Sequence, residues 1–160
     1  MASVPRTTVT EGRALSLADV APALGAAQME LQRVAYPGVV DLVTRELVRI
    51  LSGRESHCRI CRNVRLRAAI DRGFDESMVD QMDDFEHSDL SDRQKAALRL
   101  ASCFLGDPRS FDEAAQQDLL EHFGPDEIAE LILDLVRFRP GSKLTVAAGN
   151  EPEAEGLIYW

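Results

Sequence analysis

Residues 46–65 have the sequence Glu46-Leu-Val-Arg-Ile-Leu-Ser-Gly-Arg-Glu-Ser-His57-Cys58-Arg-Ile-Cys61-Arg-Asn-Val-Arg65. The stretch holds two of the three cysteines and one of the three histidines of the chain, with a glutamate inside an apolar helical pattern. Two thiols with Cys-x-x-Cys spacing at the start of a helix lie one turn apart on the same face. They are close enough to be exchanged between a dithiol and a disulfide, so the spacing predicts a redox-active pair.

The segments on either side of the cysteines are expected to be helical. Apolar residues between positions 40 and 51 recur with helical period, and Gly53 is well placed to end that helix. Glu46 lies at the border of this apolar stripe rather than on the open surface. The helix that Cys58 opens is expected to continue until Gly73 closes it.

The cysteine pair has several neighbours that favour its reactive form. Only the thiolate of a cysteine attacks a peroxide or a disulfide, and a free thiol is mostly protonated at neutral pH. Three features are expected to promote the thiolate: the unpaired amide groups at the start of the helix, the imidazole of His57, and the arginines at positions 59, 62 and 65. On one continuous helix Cys58, Cys61 and Arg65 share a face, so Arg65 is expected to face the thiols.

The C-terminal half of the chain repeats the helical pattern. The capping boxes Ser91-Asp-Arg-Gln94 and Ser110-Phe-Asp-Glu113 are each expected to open a helix. A helix over residues 126–139 is apolar on more than one face, which favours the centre of the core or a subunit interface, and Pro140-Gly141 is expected to kink or break it. No strand alternation longer than chance appears. The pattern predicts an all-α bundle of about seven helices and favours a homo-oligomer.

Four segments together resemble the alkylhydroperoxidase D-like branch of the carboxymuconolactone decarboxylase family. A glutamate twelve residues before the first cysteine of a Cys-x-x-Cys that opens a helix is the specific part of the likeness. The segments are Thr44-Arg-Glu-Leu-Val-Arg-Ile, Cys58-Arg-Ile-Cys61, Leu90-Ser-Asp-Arg-Gln-Lys-Ala-Ala-Leu-Arg-Leu-Ala and Asp126-Glu-Ile-Ala-Glu-Leu-Ile-Leu. The likeness covers roughly residues 18–153. The family usually has a histidine four residues after the second cysteine, and this chain has Arg65 there.

The resemblance implies a thiol-dependent peroxidase of antioxidant defence with no bound metal or flavin. By this comparison Cys61 attacks the hydroperoxide, Cys58 resolves the product as a disulfide, and Glu46 accepts or relays a proton. Arg65 does not deprotonate in the working range, but it can pair with Glu46 and stabilise a thiolate, while His57 is a candidate for the missing titrating group. The implied partners are a small hydroperoxide, a dithiol reductant such as a lipoyl or thioredoxin-like protein, and further copies of the chain in a dimer, trimer or hexamer.

The bulk composition sets the expected organisation. With 160 residues and 45% hydrophobic content, the chain fills one core but not two domains. We expect residues 1–15 to be a flexible N-terminal arm, residues 16–150 a single helical domain, and residues 151–160 a tail. A frayed aromatic end is the preferred expectation for this tail, and docking on this subunit or a neighbour is the alternative. The net charge of −9 argues against nucleic acid and anionic membranes as partners. Because no apolar span or signal-peptide pattern appears, we expect a cytoplasmic protein.

Other interpretations of the same residues stay open. A structural zinc site needs four ligands, and no second close pair of cysteines or histidines follows Cys58 and Cys61. The two cysteines could also be core packing residues, which is the preferred interpretation for Cys103. The alternative function is a non-catalytic or redox-responsive helical oligomer that kept the fold without the relay histidine. Lactone decarboxylation belongs, by the resemblance, to family members without the cysteine pair, so it ranks lower.

Overall fold

A computed structural model describes residues 8–9, 13–14, 22–34, 38–147, 149, 151 and 156–160. These residues contain eight α-helices, namely α1 (Pro22–Val34), α2 (Leu42–Glu55), α3 (Arg59–Asn63), α4 (Arg67–Ile70), α5 (Glu76–Gln81), α6 (Asp92–Leu105), α7 (Glu113–His122) and α8 (Pro125–Ala147). Two 3₁₀ helices span Met82–His87 and Pro108–Ser110. The two-residue strands are β1 (Thr8–Val9) antiparallel to β2 (Arg13–Ala14), and β3 (Val64–Arg65) parallel to β4 (Ile158–Tyr159). The predicted all-α class is confirmed, with eight α-helices where about seven were expected.

Helix α2 lies at the centre of the structure. It packs against α3, α6 and α8, and its apolar side chains are fully buried, among them Leu47, Val48 and Ile50. Because partners cover it on several sides, even Arg45 and Glu46 are buried. The helix continues to Glu55, past Gly53, so the expected end at Gly53 is wrong.

The two predicted capping boxes have different outcomes. At the start of α6 the Ser91 hydroxyl accepts the Gln94 N–H at 3.3 Å, and the Gln94 side chain accepts the Ser91 N–H at 2.9 Å, which confirms the box. At the start of α7 the carboxylate of Asp112 is the cap instead. The second box is wrong because the Ser110 hydroxyl donates to the Asp107 carbonyl at 2.7 Å within the preceding 3₁₀ helix.

Helix α8 continues through Pro140 instead of ending there. Pro125 opens the helix, as expected for a residue whose missing N–H has no helical partner at that position. Both sides of Pro140 are held by tertiary contacts. The Arg139 guanidinium donates to the Leu105 carbonyl, and Ser142 is buried. The predicted break is therefore wrong, because packing on both sides offsets the lost hydrogen bond of the proline.

The segment after Cys58 is divided, although one helix up to Gly73 was expected. Helix α3 ends at Asn63, β3 follows, and α4 begins at Arg67. Val64 has extended dihedral angles, with φ −72° and ψ 141°. The interruption coincides with the pairing of β3 to β4, which comes from the far end of the chain. A local helical pattern does not contain that information.

The described part of the C-terminal tail is docked on this subunit, so the preferred expectation of a frayed end is wrong and the alternative of docking is the one that the structure has. The Trp160 N–H donates to the Arg65 carbonyl at 2.9 Å, and the Arg67 N–H donates to the Trp160 carbonyl at 2.7 Å. The Arg67 guanidinium also lies over the Tyr159 ring, 5.8 Å from its centroid. These contacts place residues 156–160 beside the cysteine segment.

The expected N-terminal arm, residues 1–15, lies outside the described residues except for β1 and β2. Those two strands pair with each other, Thr8 with Ala14 and Val9 with Arg13. None of the helices in the described ranges combines the length and the apolar character that crossing a bilayer requires.

Candidate active site

The two cysteines meet at the start of α3. Cys58 is the N-cap residue, and its Sγ accepts the Cys61 N–H at 3.3 Å. The Cys58 thiol also donates to the Cys61 Sγ at 2.7 Å, and both residues are free cysteines. Cys58 is 0% exposed, whereas Cys61 is half-buried. The pair therefore offers one accessible sulfur atom, that of Cys61.

The environment of Cys61 favours its thiolate. The hydrogen bond from the Cys58 thiol is the largest cause, and with a hydrogen bond from Ser142 and the charge of Arg49 it lowers the pKa of Cys61 to about 6. Burial opposes this shift because it disfavours the charged form. The lowered pKa therefore favours the thiolate of Cys61 at neutral pH, which is the state that attacks an electrophile.

The environment of Cys58 has the opposite effect. Its pKa is raised because it donates its hydrogen to Cys61 and because it is buried. The nearby carboxylate of Glu151 raises the pKa of both cysteines. That carboxylate also accepts the Arg59 N–H at 2.5 Å, so the beginning of the tail contacts the cysteine helix. The two environments therefore favour a neutral thiol at Cys58 and a thiolate at Cys61.

Glu46 is joined to the cysteine segment through Arg49. The Arg49 guanidinium binds both Glu46 carboxylate oxygens at 2.8 Å. It also donates to the Cys61 carbonyl at 2.7 Å and to the Val64 carbonyl. Glu46 is 0% exposed, and its carboxylate accepts the Leu66 N–H at 2.9 Å. The pair therefore fixes the backbone of the segment that carries Cys61.

Arg65 does not face the thiols, nor does it pair with Glu46 as expected. Its guanidinium binds Glu76 at 2.6 and 2.9 Å and donates to the carbonyls of Arg62 and Val64. The expected shared face fails because the helix ends before Arg65, which lies in β3. Arg65 connects this strand to α5, which is a structural role.

His57 is exposed and lies in a left-handed turn with φ 53°. Its ring makes no hydrogen bond or ion pair with any residue that the structure describes. Among the arginines expected to favour the thiolate, Arg59 pairs with Glu151, with 3.8 Å between nitrogen and oxygen. The cation that lowers the pKa of Cys61 is instead Arg49, from the preceding helix.

Cys61 opens into a cleft of about 330 Å³ between the cysteine segment, the second half of α8 and the tail. Its walls are mainly apolar, contributed by Ile60, Val64, Leu66, Phe138 and Trp160. The polar lining residues beside Cys61 are Arg49, Arg137, Ser142 and Thr145. A small organic molecule fits such a space and can reach the thiolate.

Two contributors to the site were not predicted as functional residues. Arg49 is three residues after Glu46, and that spacing only indicates a surface ion pair. Ser142 follows Pro140-Gly141, where a helix break was expected, so no local signal placed it near Cys61. Both act through contacts between segments that are distant in sequence, which periodicity does not reveal.

Gly53 permits the close approach of α2 and α3. A Cβ atom at this position would lie 2.7 Å from the Arg62 nitrogen and 2.7 Å from the Cys61 carbonyl carbon. Because both are backbone atoms, neither can move without shifting the cysteine helix. Gly53 is therefore needed for packing under the thiols rather than for ending a helix.

Within the described ranges, no three side chains of His, Cys, Asp or Glu come together in a way that could hold a metal ion. Cys103 lies on α6 and is half-buried, and it does not line the thiol cleft.

Comparison with known proteins finds related sequences and a solved structure with the same fold. The chain matches no protein-family profile. Two uncharacterized proteins of Mycobacterium tuberculosis, one from strain CDC 1551 / Oshkosh and one from strain ATCC 25618 / H37Rv, are each 33% identical to it over 122 residues. The match covers 76% of this chain and 43% of each relative, so the chain spans less than half the length of the curated relatives it matches.

A solved structure shows the same architecture. It is the crystal structure of an Agrobacterium tumefaciens protein of unknown function, described as a candidate antioxidant defence protein AhpD. The two chains align with a TM-score of 0.75 and 15% sequence identity, over 89% of this chain and 99% of that chain. A likeness at this identity concerns the fold, and the chain accordingly has an alkylhydroperoxidase D-like all-helical fold.

Proposed function

We propose that this chain is a thiol-dependent peroxidase that reduces hydroperoxides with Cys61 and Cys58 and is reset by a dithiol partner. The observation that carries the proposal is the division of roles between the two sulfur atoms. Cys61 faces an open cleft and has a pKa of about 6, while Cys58 is sealed behind it with its proton retained. A simple packing pair would need neither the difference in pKa nor the opening.

The first step is attack by the Cys61 thiolate on the terminal oxygen of the hydroperoxide. The new S–O bond forms as the O–O bond breaks, and the alkoxide leaves with the electron pair of that bond. The alkoxide takes a proton from solvent or from an acid in the cleft and departs as an alcohol. Cys61 is left as a sulfenic acid, oxidised by two electrons.

The second step uses the neighbouring thiol. Cys58 lies with its Sγ 2.7 Å from that of Cys61, so it can attack the sulfenic sulfur with little movement. The Cys58 proton and the sulfenic hydroxyl leave as water, and a disulfide joins the two residues. An external dithiol then reduces this disulfide by exchange at the accessible Cys61 sulfur. The reductant is expected to be a lipoyl or thioredoxin-like protein.

Glu46 acts through Arg49 in this scheme. Arg49 lowers the pKa of Cys61 by its charge and holds the Cys61 carbonyl, and Glu46 fixes the orientation of that guanidinium with both carboxylate oxygens. Glu46 is therefore a positioning residue here, because it acts on the thiols through Arg49. In the family that the chain resembles, a histidine instead relays a proton between the glutamate and the thiols.

The decisive experiment measures peroxide-dependent turnover with dihydrolipoamide as the reductant. We expect turnover in the native chain, its loss in Cys61→Ser, and its retention in Cys103→Ser, which removes a cysteine outside the cleft. In Cys58→Ser, treated with peroxide in the absence of the dithiol, we expect one oxidation event per chain and a sulfenic acid on Cys61, detected by dimedone labelling and mass spectrometry. Absence of turnover in the native chain would remove the peroxidase proposal.

The ion pair of Arg65 with Glu76 favours a second candidate function. At the position where the family has its relay histidine, this chain has Arg65, which binds Glu76. The second candidate is therefore a redox-responsive helical oligomer that exchanges disulfides without reducing peroxides. Two assays of the native chain separate the two functions. A redox-responsive oligomer forms the Cys58–Cys61 disulfide with an oxidised dithiol but shows no peroxide-dependent turnover, whereas the peroxidase shows both. In either case Arg65→His is expected to gain no peroxidase rate, because position 65 lies in β3 and does not face the thiols.

Self-association as a dimer, trimer or hexamer belongs to the same proposal. Apolar side chains on α8 are exposed in the single chain, namely Ile132, Leu133 and Val136, and their burial between copies would remove that surface from water. Light scattering of the native chain would determine the number of copies.

A further inference from the structure

We propose that Trp160 is a specificity-determining residue of this site, whose indole contacts the organic group of an aromatic or bulky alkyl hydroperoxide in the Cys61 cleft. The inference rests on the proposed function, which names the reacting thiol but not what surrounds the substrate. It concerns a residue of the tail, a segment that the sequence alone placed outside the helical domain.

The backbone of Trp160 is fixed to the segment that carries the thiol. Its N–H donates to the Arg65 carbonyl at 2.9 Å, and its carbonyl accepts the Arg67 N–H at 2.7 Å. Strand β4 before it pairs with β3, in which Val64 is itself a lining residue of the cleft. Because β3 directly follows α3, the position of Trp160 is set relative to Cys61 by neighbouring hydrogen bonds.

The side chain of Trp160 is nevertheless open to solvent. It lines the cleft while 75% of its surface is exposed. The chain thus fixes a large aromatic residue at the mouth of the site and leaves its ring uncovered. An uncovered indole gains the most when an apolar or aromatic group packs against it. The arrangement suits a contact with a ligand better than a contact within the fold.

The size and lining of the cleft define what that ligand is. Its volume of about 330 Å³ is far larger than hydrogen peroxide needs. Apolar side chains, including Ile60 and Phe138, line the remaining space around Cys61. A hydroperoxide with an aromatic or branched alkyl group would fill this space, with its peroxide group at the sulfur and its organic group toward the indole.

The test compares reagents of two sizes on the reduced chain, without using peroxidase turnover. N-phenylmaleimide and N-methylmaleimide both alkylate a thiolate, and the ratio of their rate constants at Cys61, divided by the same ratio for free glutathione, measures selectivity for an aromatic group. In Trp160→Ala we expect this ratio to fall by about three- to tenfold, the range for loss of an aromatic contact. Trp160→Phe should retain most of it.

The matched control is Leu157→Ala, which removes another exposed apolar side chain from the same tail segment but not from the cleft. It should leave the ratio unchanged. An unchanged ratio in Trp160→Ala would overturn the inference. An equal loss of rate with both reagents would overturn it too, because that result describes a change at Cys61 itself.

Trp160 is the single tryptophan of the chain, so its fluorescence gives a second readout that needs no variant. N-phenylsuccinimide, the unreactive analogue of the aromatic maleimide, should change the emission saturably in the native chain and equally in Cys61→Ser. A linear response equal to that of free N-acetyltryptophanamide would contradict the proposed contact.

Peroxide kinetics then separate this inference from the proposed function. If the native chain turns over, Trp160→Ala should lower kcat/KM for cumene hydroperoxide by about three- to tenfold relative to that for hydrogen peroxide. Turnover with an unchanged preference would leave the peroxidase standing and remove the role of Trp160. A lack of turnover together with a lowered maleimide ratio would remove the peroxidase proposal and leave the contact of Trp160 with an aromatic group standing.

Discussion

Two faces of helix α2 carry buried charges, and they differ in what those charges contact. On one face Glu46 and Arg49 bind each other and the backbone of the cysteine segment. On the other face Arg45 pairs with Glu130 at 2.9 Å and with Asp134 at 2.8 Å, both on α8. The first group lies beside the sulfur of Cys61, and its cation lowers the pKa of that thiol.

The comparison shows that burial of charge does not by itself identify a functional site. Both groups are largely shielded from water, since Arg45 and Glu46 are buried and Arg49 is partly buried, and both contain partners of opposite charge. Glu130 also accepts the N–H groups of Val39 and Val40, at 2.7 and 3.1 Å, so its carboxylate holds the chain before α2. We infer that the α8 face supports the fold and the cysteine face supports reactivity.

The largest effect is expected on the α8 face. Glu130→Ala leaves Arg45 with one carboxylate fewer and two amide groups without their acceptor. Removal of one partner from a buried ion pair costs about 3–5 kcal/mol of unfolding free energy. Urea unfolding measures the loss, and Glu130→Gln, which keeps an acceptor, should lose less. A shift in the pH midpoint of Cys61 alkylation in the glutamine variant would contradict the separation of the two faces.

A smaller effect is expected where α2 meets the cysteine helix. Gly53→Ala forces a Cβ against two backbone atoms, and overpacking of this kind costs about 1–3 kcal/mol. Gly141→Ala is the matched control, because its Cβ would meet nothing within 4 Å and alanine favours a helix by about 0.5–1 kcal/mol. Thermal unfolding of both variants measures the difference. Equal stability of the two would show that α3 can move away from α2 freely.

The smallest effect tests whether α8 also reaches the site. Ser142→Ala removes a hydrogen bond that lowers the pKa of Cys61, so that pKa should rise from about 6 by about one unit, or about 1.4 kcal/mol. Since the thiolate reacts, alkylation at pH 6 should fall roughly fivefold and recover above pH 8. Thr145→Val, a change in the same cleft at a hydroxyl that donates to the Gly141 carbonyl, should leave the midpoint in place. If Thr145→Val shifted the pH midpoint of alkylation and Ser142→Ala did not, the hydrogen bond from Ser142 would not be a cause of the lowered pKa of Cys61.

The helices could largely be predicted because their signals are local. The capping box of Ser91 and the opening proline at Pro125 both form as expected, since each depends on residues within one turn. The break expected at Pro140 failed because contacts from α6 and the cysteine segment decide the course of α8. The continuous helix after Cys58 failed for the same kind of reason, since its interruption pairs with a strand near residue 158.

The sequence by itself determined the all-α class, the helix that carries Glu46 and the Cys-x-x-Cys spacing that follows it, because periodicity and spacing express the contacts of a residue with its own helix. Tertiary structure decided that Cys61 rather than Cys58 has the accessible sulfur, and that Arg49 rather than Arg65 forms the ion pair with Glu46. It also decided that Ser142 and Trp160 line the cleft beside the thiol. Those properties depend on contacts between segments far apart in the chain, and a local sequence pattern does not predict such contacts.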